Sequence, residues 1–540
     1  MHLQPSDNNL FLDKKMQKQP DNSISSSVKK ILLVSIIEQH KYGNNGVDYL
    51  ASYLRSHGFF VTIKYYHENQ TAEEICNTIP LDYDFYGFSV FITNYKRVVA
   101  ASRFLKSKTN SVIIYGGQFI SMNYRLIIEA ESNADYYIIG DGEEPIQRLM
   151  DFYAGNHVHQ EFHDPNVATR NDYNHKTRWV TPDINRYPAF DYYESDTTEN
   201  NRLKVYSLLS KSNVCNGACT FCCSRKGRFE YKTPMRLVDE IEYVAKRYGV
   251  RDFHFGDDNI FDIDSQENYA RLVDFSERII SLNLNLVFSG FAKANSIRSD
   301  KRDLLTLMSE AGFYYLFIGV DAGNEMDRLL YNKRATLQEN QDAITLLSEN
   351  GIWARYGIIS INPYSTKERL CETYRYLCKL RSANFYHYGG LHLQLLYGTK
   401  MYEFVKRDGL LRDDFSFLNV YGYKFQNEEI LPVVDFLRSD FLPSANKIKY
   451  QFYRLKHCFE KARHLTRKVQ RYQDVIQKEE EIEFQTLKEF FGHLYVATDL
   501  QYCKSMLPSF IQEEEQRARK YQLLCSELDE IIKSTPLERD

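Results

Sequence analysis

No apolar run in this chain approaches the roughly 18 residues that a membrane-spanning helix requires, so a membrane span is excluded from the reading. The amino-terminal stretch MHLQPSDNNLFLDKKMQKQPDNSISSS lacks the apolar core of a signal peptide. An excess of charge of one sign is also missing. The 68 Lys and Arg stand against 72 Asp and Glu, which argues against a general nucleic-acid-binding surface and favours a small-molecule or peptide substrate. Cysteine is sparse, ten in 540 residues, and Cys76, Cys371, Cys378, Cys458, Cys503 and Cys525 show neither pairing nor ligand spacing. That scatter excludes a disulfide framework and suits a reducing, cytoplasmic compartment. Glycine and proline are both absent from Ser444 to Phe491, which leaves only helix there.

Against this background one cluster stands out. Cys215, Cys219 and Cys222 lie in NVCNGACTFCCSR as a CxxxCxxC triplet. Thiolates are soft ligands suited to iron–sulfur clusters or zinc, and three of them on one short loop can wrap one metal centre unaided. A cubane cluster has four irons, so three thiolates leave one iron open. A structural zinc site would close with a fourth ligand at finger-like spacing. Cys223, adjacent to Cys222, is poorly placed to reach the same ion, and no paired CxxC or HxxxH follows.

The triplet resembles that of the radical S-adenosylmethionine superfamily. The resemblance implies a [4Fe–4S] cluster whose open iron is chelated by the amino and carboxylate groups of S-adenosylmethionine. It also implies that Phe221, the aromatic residue before the third cysteine, lies near the adenine.

The surrounding pattern fixes an α/β fold class. Residues 1–28 are rich in Ser, Asn, Gln and Lys and read as a disordered tail. From Lys30, continuous apolar strands alternate five times with amphipathic helices, as in a doubly wound, Rossmann-like parallel sheet covered on both faces, spanning 29–155. Residues 156–200, with Pro165, Pro182 and Pro188, read as a connector. About six further βα units over 201–400 are too few for a closed eight-fold barrel and suit an open partial (β/α) barrel of TIM type, with its chemistry after the strand ends. Residues 401–540 form a mainly helical region, expected to cap or shape the substrate entrance.

After the first strand, Glu38, His40 and Gly43 form an ExHxxG arrangement where a doubly wound fold presents its ligand loop. Downstream come Ser89 to Phe91 (SVF) after the third strand, Gly116 and Gly117 after the fourth, and GDGEEPIQRLM over 140–150, with Asp141 at the first acidic position. These elements resemble the DxHxxG, SxL, GG and GEGE signatures of cobalamin-binding domains. The resemblance implies cobalamin as cofactor, with His40 as lower cobalt ligand, Glu38 orienting it, and Gly43, Ser89, Gly116 and Gly117 allowing close approach of the nucleotide tail.

In the second half, GDDNIF places Gly256, Asp257, Asp258 and Asn259 at the end of the second barrel strand, facing the same mouth as the cysteines. The paired carboxylates are suited to the amino group of S-adenosylmethionine or a substrate cation; helix capping is the alternative. GVDAG, with Asp321 and Gly323, resembles a GxESG element of the same superfamily near the ribose or methionine part, and Lys293 stands where relatives often carry Arg.

The resemblance as a whole implies a class B, cobalamin-dependent radical S-adenosylmethionine methyltransferase. Its 5′-deoxyadenosyl radical would methylate an unactivated carbon, with electrons from a donor such as flavodoxin or ferredoxin. The alternatives are a non-methylating radical cyclisation, rearrangement or oxidation with the same cofactors, and a non-enzymatic cobalamin sensor with a structural cluster. A methylthiolating enzyme is disfavoured, since only Cys76 precedes Cys215.

Overall fold

The computed structural model describes residues 29–37, 45–130, 133–155, 161–174, 183–188, 205–210, 214–224, 229–261, 265–384, 387–388, 392–446, 448 and 450–539. The chain divides into two compact units, Met1–Leu203 and Lys204–Asp540. The proposed tail 1–28 and much of the connector 156–200 lie outside the described residues.

The first unit is built on β1 (Lys30–Ile37), β2 (Phe60–His67), β3 (Phe85–Ser89), β4 (Val112–Gly116), β5 (Tyr136–Ile138) and β6 (Val167–Ala168), in the order β2-β1-β3-β4-β5-β6. The first five run parallel, and β6 is antiparallel to β5. β1, KILLVSII, buries six consecutive residues because helices cover both faces, whereas β2, at the edge, alternates. Gly87 lets β3 pack closely on β1, since a Cβ there would lie 2.8 Å from Leu33 Cδ2 and displace that side chain. The strand order reverses between β1 and β3, which makes a switch point at their carboxyl ends. β6 falls inside the expected connector; two residues are too short to leave a periodic signal.

The second unit holds one parallel sheet, β11-β10-β9-β8-β7, formed by β7 (Val205–Leu208), β8 (Asp252–Phe255), β9 (Val287–Ala292), β10 (Phe313–Asp321) and β11 (Trp353–Ile358). Register aligns its inner-face residues in levels. Ser207, His254, Ser289, Tyr315 and Trp353 share one, and Phe291, Phe317 and Arg355 share the next toward the carboxyl ends. A sixth strand was expected over 385–396. Among the described residues that segment contributes one parallel bridge, Ile361 to His392, and no named strand. Residues 385, 386 and 389–391 of that segment lie outside the described residues.

The helical region belongs to the same unit; Met401 at its start touches the cysteine loop, whereas its part from Gln451 onward departs from the expectation that it covers the entrance. Helix Gln451–Leu465 runs across the amino ends of the strands, opposite the cysteine loop. Lys461 pairs with Asp252 of β8 at 2.7 Å, His457 Nε2 meets the Tyr314 hydroxyl of β10 at 3.0 Å, and Tyr453 packs on Trp353 of β11 with centroids 5.5 Å apart. Leu465 reaches Val287 at the start of β9. After the long helix Leu500–Ser534, the chain's end rejoins this base, where Asn285 N donates to Leu537 O at 2.7 Å. The reason is apolar surface: the open end of a partial barrel exposes Tyr315 and Trp353, and an amphipathic helix removes them from water.

A buried polar clamp closes the root of the cysteine loop. Ser210 follows β7 and Lys232 precedes helix Pro234–Tyr248; Lys232 N donates to Ser210 O at 2.9 Å. The Lys232 ammonium, fully buried, meets Glu240 Oε2 at 2.6 Å, and Tyr206 of β7 donates its hydroxyl to Glu240 Oε1 at 2.8 Å. Lys232→Met is expected to cost about 3–5 kcal/mol, because it strands the Glu240 carboxylate in the core. The double variant Lys232→Met/Glu240→Leu should recover most of that loss. Urea unfolding followed by circular dichroism checks both.

Candidate active site

The three cysteines share one cavity of ≈ 300 Å³ at the carboxyl end of the second sheet. Its walls include Cys215, Cys219, Cys222, Asp258, Phe291, Lys293, Phe317, Gly319, Asp321, Asn332 and Lys333. Backbone geometry holds the loop in place. Thr220 N donates to Tyr331 O at 3.0 Å, Thr220 Oγ1 to Leu330 O at 2.8 Å, and Met401 N to Thr220 O at 2.8 Å. Asn332 Nδ2 donates to Ala218 O at 2.9 Å. Gly217 N points at Cys215 Sγ, 3.4 Å away, and Ser224 N at Cys222 Sγ, 3.3 Å away, so backbone dipoles favour thiolate at both sulfurs.

The polar wall opposite is an ion pair. Asp321 ends β10 with φ +59°, after a register shift at Gly319, and its Oδ2 lies 2.6 Å from Lys333 Nζ. Burial opposes the charge on Lys333, but Asp321 and the thiols of Cys219 and Cys215 prevail and hold its pKa above the ordinary value. Burial pushes the Cys219 thiol up, with Lys333 working against it.

The expected site residues separate into two groups. Asp258, Lys293 and Asp321 line the cavity with the cysteines. Phe221, Gly256, Asp257 and Gly323 do not. Phe221 packs edge-on against Tyr331 at 5.3 Å, in an apolar cluster with Leu393 and Met401. Gly256 N continues the sheet by donating to Leu208 O at 2.8 Å. Asp257 corrects the expectation that both carboxylates face the mouth: it is fully buried and accepts from Ser210 N at 3.1 Å and Ser210 Oγ at 2.8 Å, holding the loop's root. Gly323 is where helix Lys367–Lys379 passes, since a Cβ there would lie 2.7 Å from Thr373 Cγ2. Asn259 turns inward to accept from Lys293 N at 3.0 Å. Cys223 is not among the lining residues, and burial pushes its thiol up to about 11. Lys333 and Asn332 were missed, because a single polar pair in YNKR carries no spacing signal.

These residues fit an iron–sulfur cluster with an amino-acid chelator. Three soft thiolates surround one space, with ammonium groups beside them for an anionic cluster and a carboxylate. Among the described residues, no three His, Cys, Asp or Glu side chains converge on a single ion.

In the first unit, His40 and Gly43, with Glu38, lie outside the described residues. Ser89 and Gly116 are register partners at the carboxyl ends of β3 and β4. Gly117 begins helix Gln118–Glu129 with φ +102°, and a Cβ there would press to 3.2 Å from Val90 O. Asn94 spans the switch point, its Nδ2 donating to Ile36 O of β1 at 3.2 Å and to Ser89 O of β3 at 3.0 Å. A glycine-lined end of a doubly wound sheet at its switch point fits a nucleotide-tailed cofactor such as cobalamin. At the start of helix Glu143–Ala154, after β5, burial pushes the Glu143 carboxyl up to about 8.

Residues 39–150 match the family described as B12 binding domain, and residues 209–377 match the Radical SAM superfamily. The chain joins a B12-binding domain to a radical SAM domain. A [4Fe–4S] cluster, S-adenosylmethionine and cobalamin are the cofactors those two domains carry. The chain is 25% identical over 277 residues, 49% of its length, to the anaerobic magnesium-protoporphyrin IX monomethyl ester cyclase of Cereibacter sphaeroides. It spans about half the length of the curated relatives it matches, 44% for that cyclase and 57% for the one from Synechocystis. In fold it resembles the cobalamin-dependent S-adenosylmethionine radical enzyme OxsB, with TM-score 0.66 and 16% identity over 94% of this chain and 80% of that one. It also resembles the radical S-adenosylmethionine methyltransferase TsrM from Kitasatospora setae, with TM-score 0.51 and 16% identity over 66% of this chain and 71% of that one. No helix among the described residues is long and apolar enough to cross a membrane.

Replacing Cys215, Cys219 or Cys222 by Ala is expected to reduce bound iron to background after anaerobic reconstitution, while Cys223→Ser keeps the parent's iron content. Asp257→Ala leaves the Ser210 donors unsatisfied, a cost of about 1–3 kcal/mol. It should lower iron retention without removing a ligand, as read by iron analysis and the visible absorption of the cluster.

Proposed function

We infer that the chain is a radical enzyme that removes hydrogen from an unactivated carbon of a small metabolite or peptide and methylates that carbon. The observation that carries the reading is the union, in one chain, of a cavity lined by three cysteines with a B12-binding domain. When bound, the cluster and S-adenosylmethionine supply a 5′-deoxyadenosyl radical and cobalamin supplies a methyl group. The chain's own residues position and enclose these groups. Cys215, Cys219 and Cys222 would hold the cluster through their three thiolates. Asp258 and Asp321 offer carboxylates, and Lys293 and Lys333 ammonium groups, to the amino-acid end of S-adenosylmethionine. Phe291 and Phe317, with ring centroids 5.7 Å apart, form an apolar floor that keeps water from a reactive carbon.

The balance for methylation consumes two molecules of S-adenosylmethionine. One ends as 5′-deoxyadenosine and methionine, the other as S-adenosylhomocysteine, and two electrons come from a donor such as flavodoxin or ferredoxin in a reducing cytoplasm. The likeness to TsrM, a methyltransferase by name, supports this reading. The likeness to an anaerobic cyclase supports a second, in which the substrate radical closes a ring or is oxidised without receiving a methyl group.

Anaerobic reconstitution with iron, sulfide and hydroxocobalamin, followed by S-adenosylmethionine, reduced flavodoxin and a small-molecule cell extract, separates the readings. Methylation is expected to yield 5′-deoxyadenosine and S-adenosylhomocysteine in step. 5′-Deoxyadenosine alone favours the second reading, and neither product sinks both. Lys333→Ala is expected to lower 5′-deoxyadenosine formation at least tenfold while iron content stays at the parent level.

A further inference from the structure

Arg355 is a charged group inside the partial barrel for which the radical chemistry has no use. It sits on β11 directly beside Phe317 of β10, in the inner-face level that also holds Phe291. Phe291 and Phe317 form part of the wall of the cysteine cavity, so Arg355 lies at that cavity's floor level on the outer strand of the open sheet. The level above it is formed by Gly319 and Gly357, register partners without side chains. Phe317 leans into the space at Gly357, where a Cβ would meet Phe317 Cζ at 3.1 Å. The space at Gly319 is taken by Asp321 and Lys333, so Arg355 stands roughly 7 Å of strand below the charged mouth, against the Phe317 ring that also lines the cysteine cavity.

The guanidinium is half-buried and is held between two rings, 6.0 Å from the centroid of Phe317 and 5.5 Å from that of Tyr453. Among the described residues no carboxylate pairs with it and no oxygen accepts from it. Glu480, which also acts electrostatically on Tyr453, is engaged by Lys456 at 2.8 Å. By contrast Arg369 has Asp327 at 3.4 Å and Arg302 has Glu349 at 2.8 Å. A guanidinium cannot shed its charge to suit a dry site, and two aromatic faces offset only part of the lost hydration. Its planar fork of donors is the match for a carboxylate or a phosphate.

We propose that Arg355 is the anchor for an anionic group, a carboxylate or phosphate, on the substrate. The substrate then binds with its charged end on Arg355 and its remainder against Phe317, the ring that Arg355 shares with the cysteine cavity. This rests on the lumen being the substrate site of the radical reading, and it narrows the substrate to an anionic molecule.

The test is a binding measurement that needs no turnover. Anaerobic holoenzyme is saturated with S-adenosylmethionine, so that Lys293 and Lys333 are occupied, and titrated with 4-fluorobenzoate, 4-fluorophenyl phosphate or neutral 4-fluorobenzyl alcohol under fluorine NMR. Saturable line broadening is expected for at least one anion and not for the alcohol, and whichever anion saturates names the group. Arg355→Gln should weaken that binding at least tenfold, and Arg355→Lys, which keeps the charge, should recover part of it. Iron content and circular dichroism confirm that each variant is folded. Broadening that is absent for both anions, equal for the alcohol, or unchanged in Arg355→Gln overturns the proposal. Failure of the radical reading shows instead as missing 5′-deoxyadenosine, which this measurement does not read.

Discussion

The cysteine loop depends on the buried hydrogen bond that closes its root, from Lys232 N to Ser210 O. On one side Asp257 takes both donors of Ser210; on the other the Lys232–Glu240 pair, with Tyr206, fixes where the chain leaves the loop. Without this clamp three thiolates on a polar loop would have many arrangements, and ordering them would be charged against cluster binding. The buried charges are costly to place there, and what they contribute is one geometry for the loop.

From that root the second unit is organised by level. Helix Gln451–Leu465 closes the base through Asp252, Tyr314 and Trp353. Above it lie the level of His254 and Ser289, the floor of Phe291, Phe317 and Arg355, two glycines, and the charged mouth with the cysteines. The open cavity thus lies at the carboxyl ends, while the base is plugged by a helix that brings the Lys461–Asp252 pair and His457 along with its apolar face. His254, whose pKa burial lowers to about 4, faces Ser289 as a neutral ring 2.9 Å away. A helical region docked at the base leaves the mouth to the segment around Thr399 and Met401, which touches the cysteine loop itself.

Legibility in the sequence followed range of interaction. The triplet Cys215, Cys219 and Cys222 was readable because all its ligands lie within one short loop. The doubly wound sheet was readable from continuous apolar strands, and Gly116–Gly117 from the need for close backbone approach. Asp257 and Asp258 could not be told apart by spacing, because successive residues at a strand end turn to opposite sides; packing sends one to Ser210 and the other to the cavity. Lys333 and Arg355 carry no local pattern at all. The docking of helix Gln451–Leu465 at the base was not readable, because periodicity reports that a face is apolar, not what covers it.

By itself the sequence determined the element types, the two-part α/β architecture and the grouping of three cysteines on one loop, all properties of neighbours along the chain. The tertiary structure alone decided which carboxylate serves the loop and which the cavity, that Lys333 answers Asp321, and that Arg355 stands level with Phe291 and Phe317. Those relations come from register between strands distant in sequence. Register is set by the packing of whole faces and leaves no trace in local spacing.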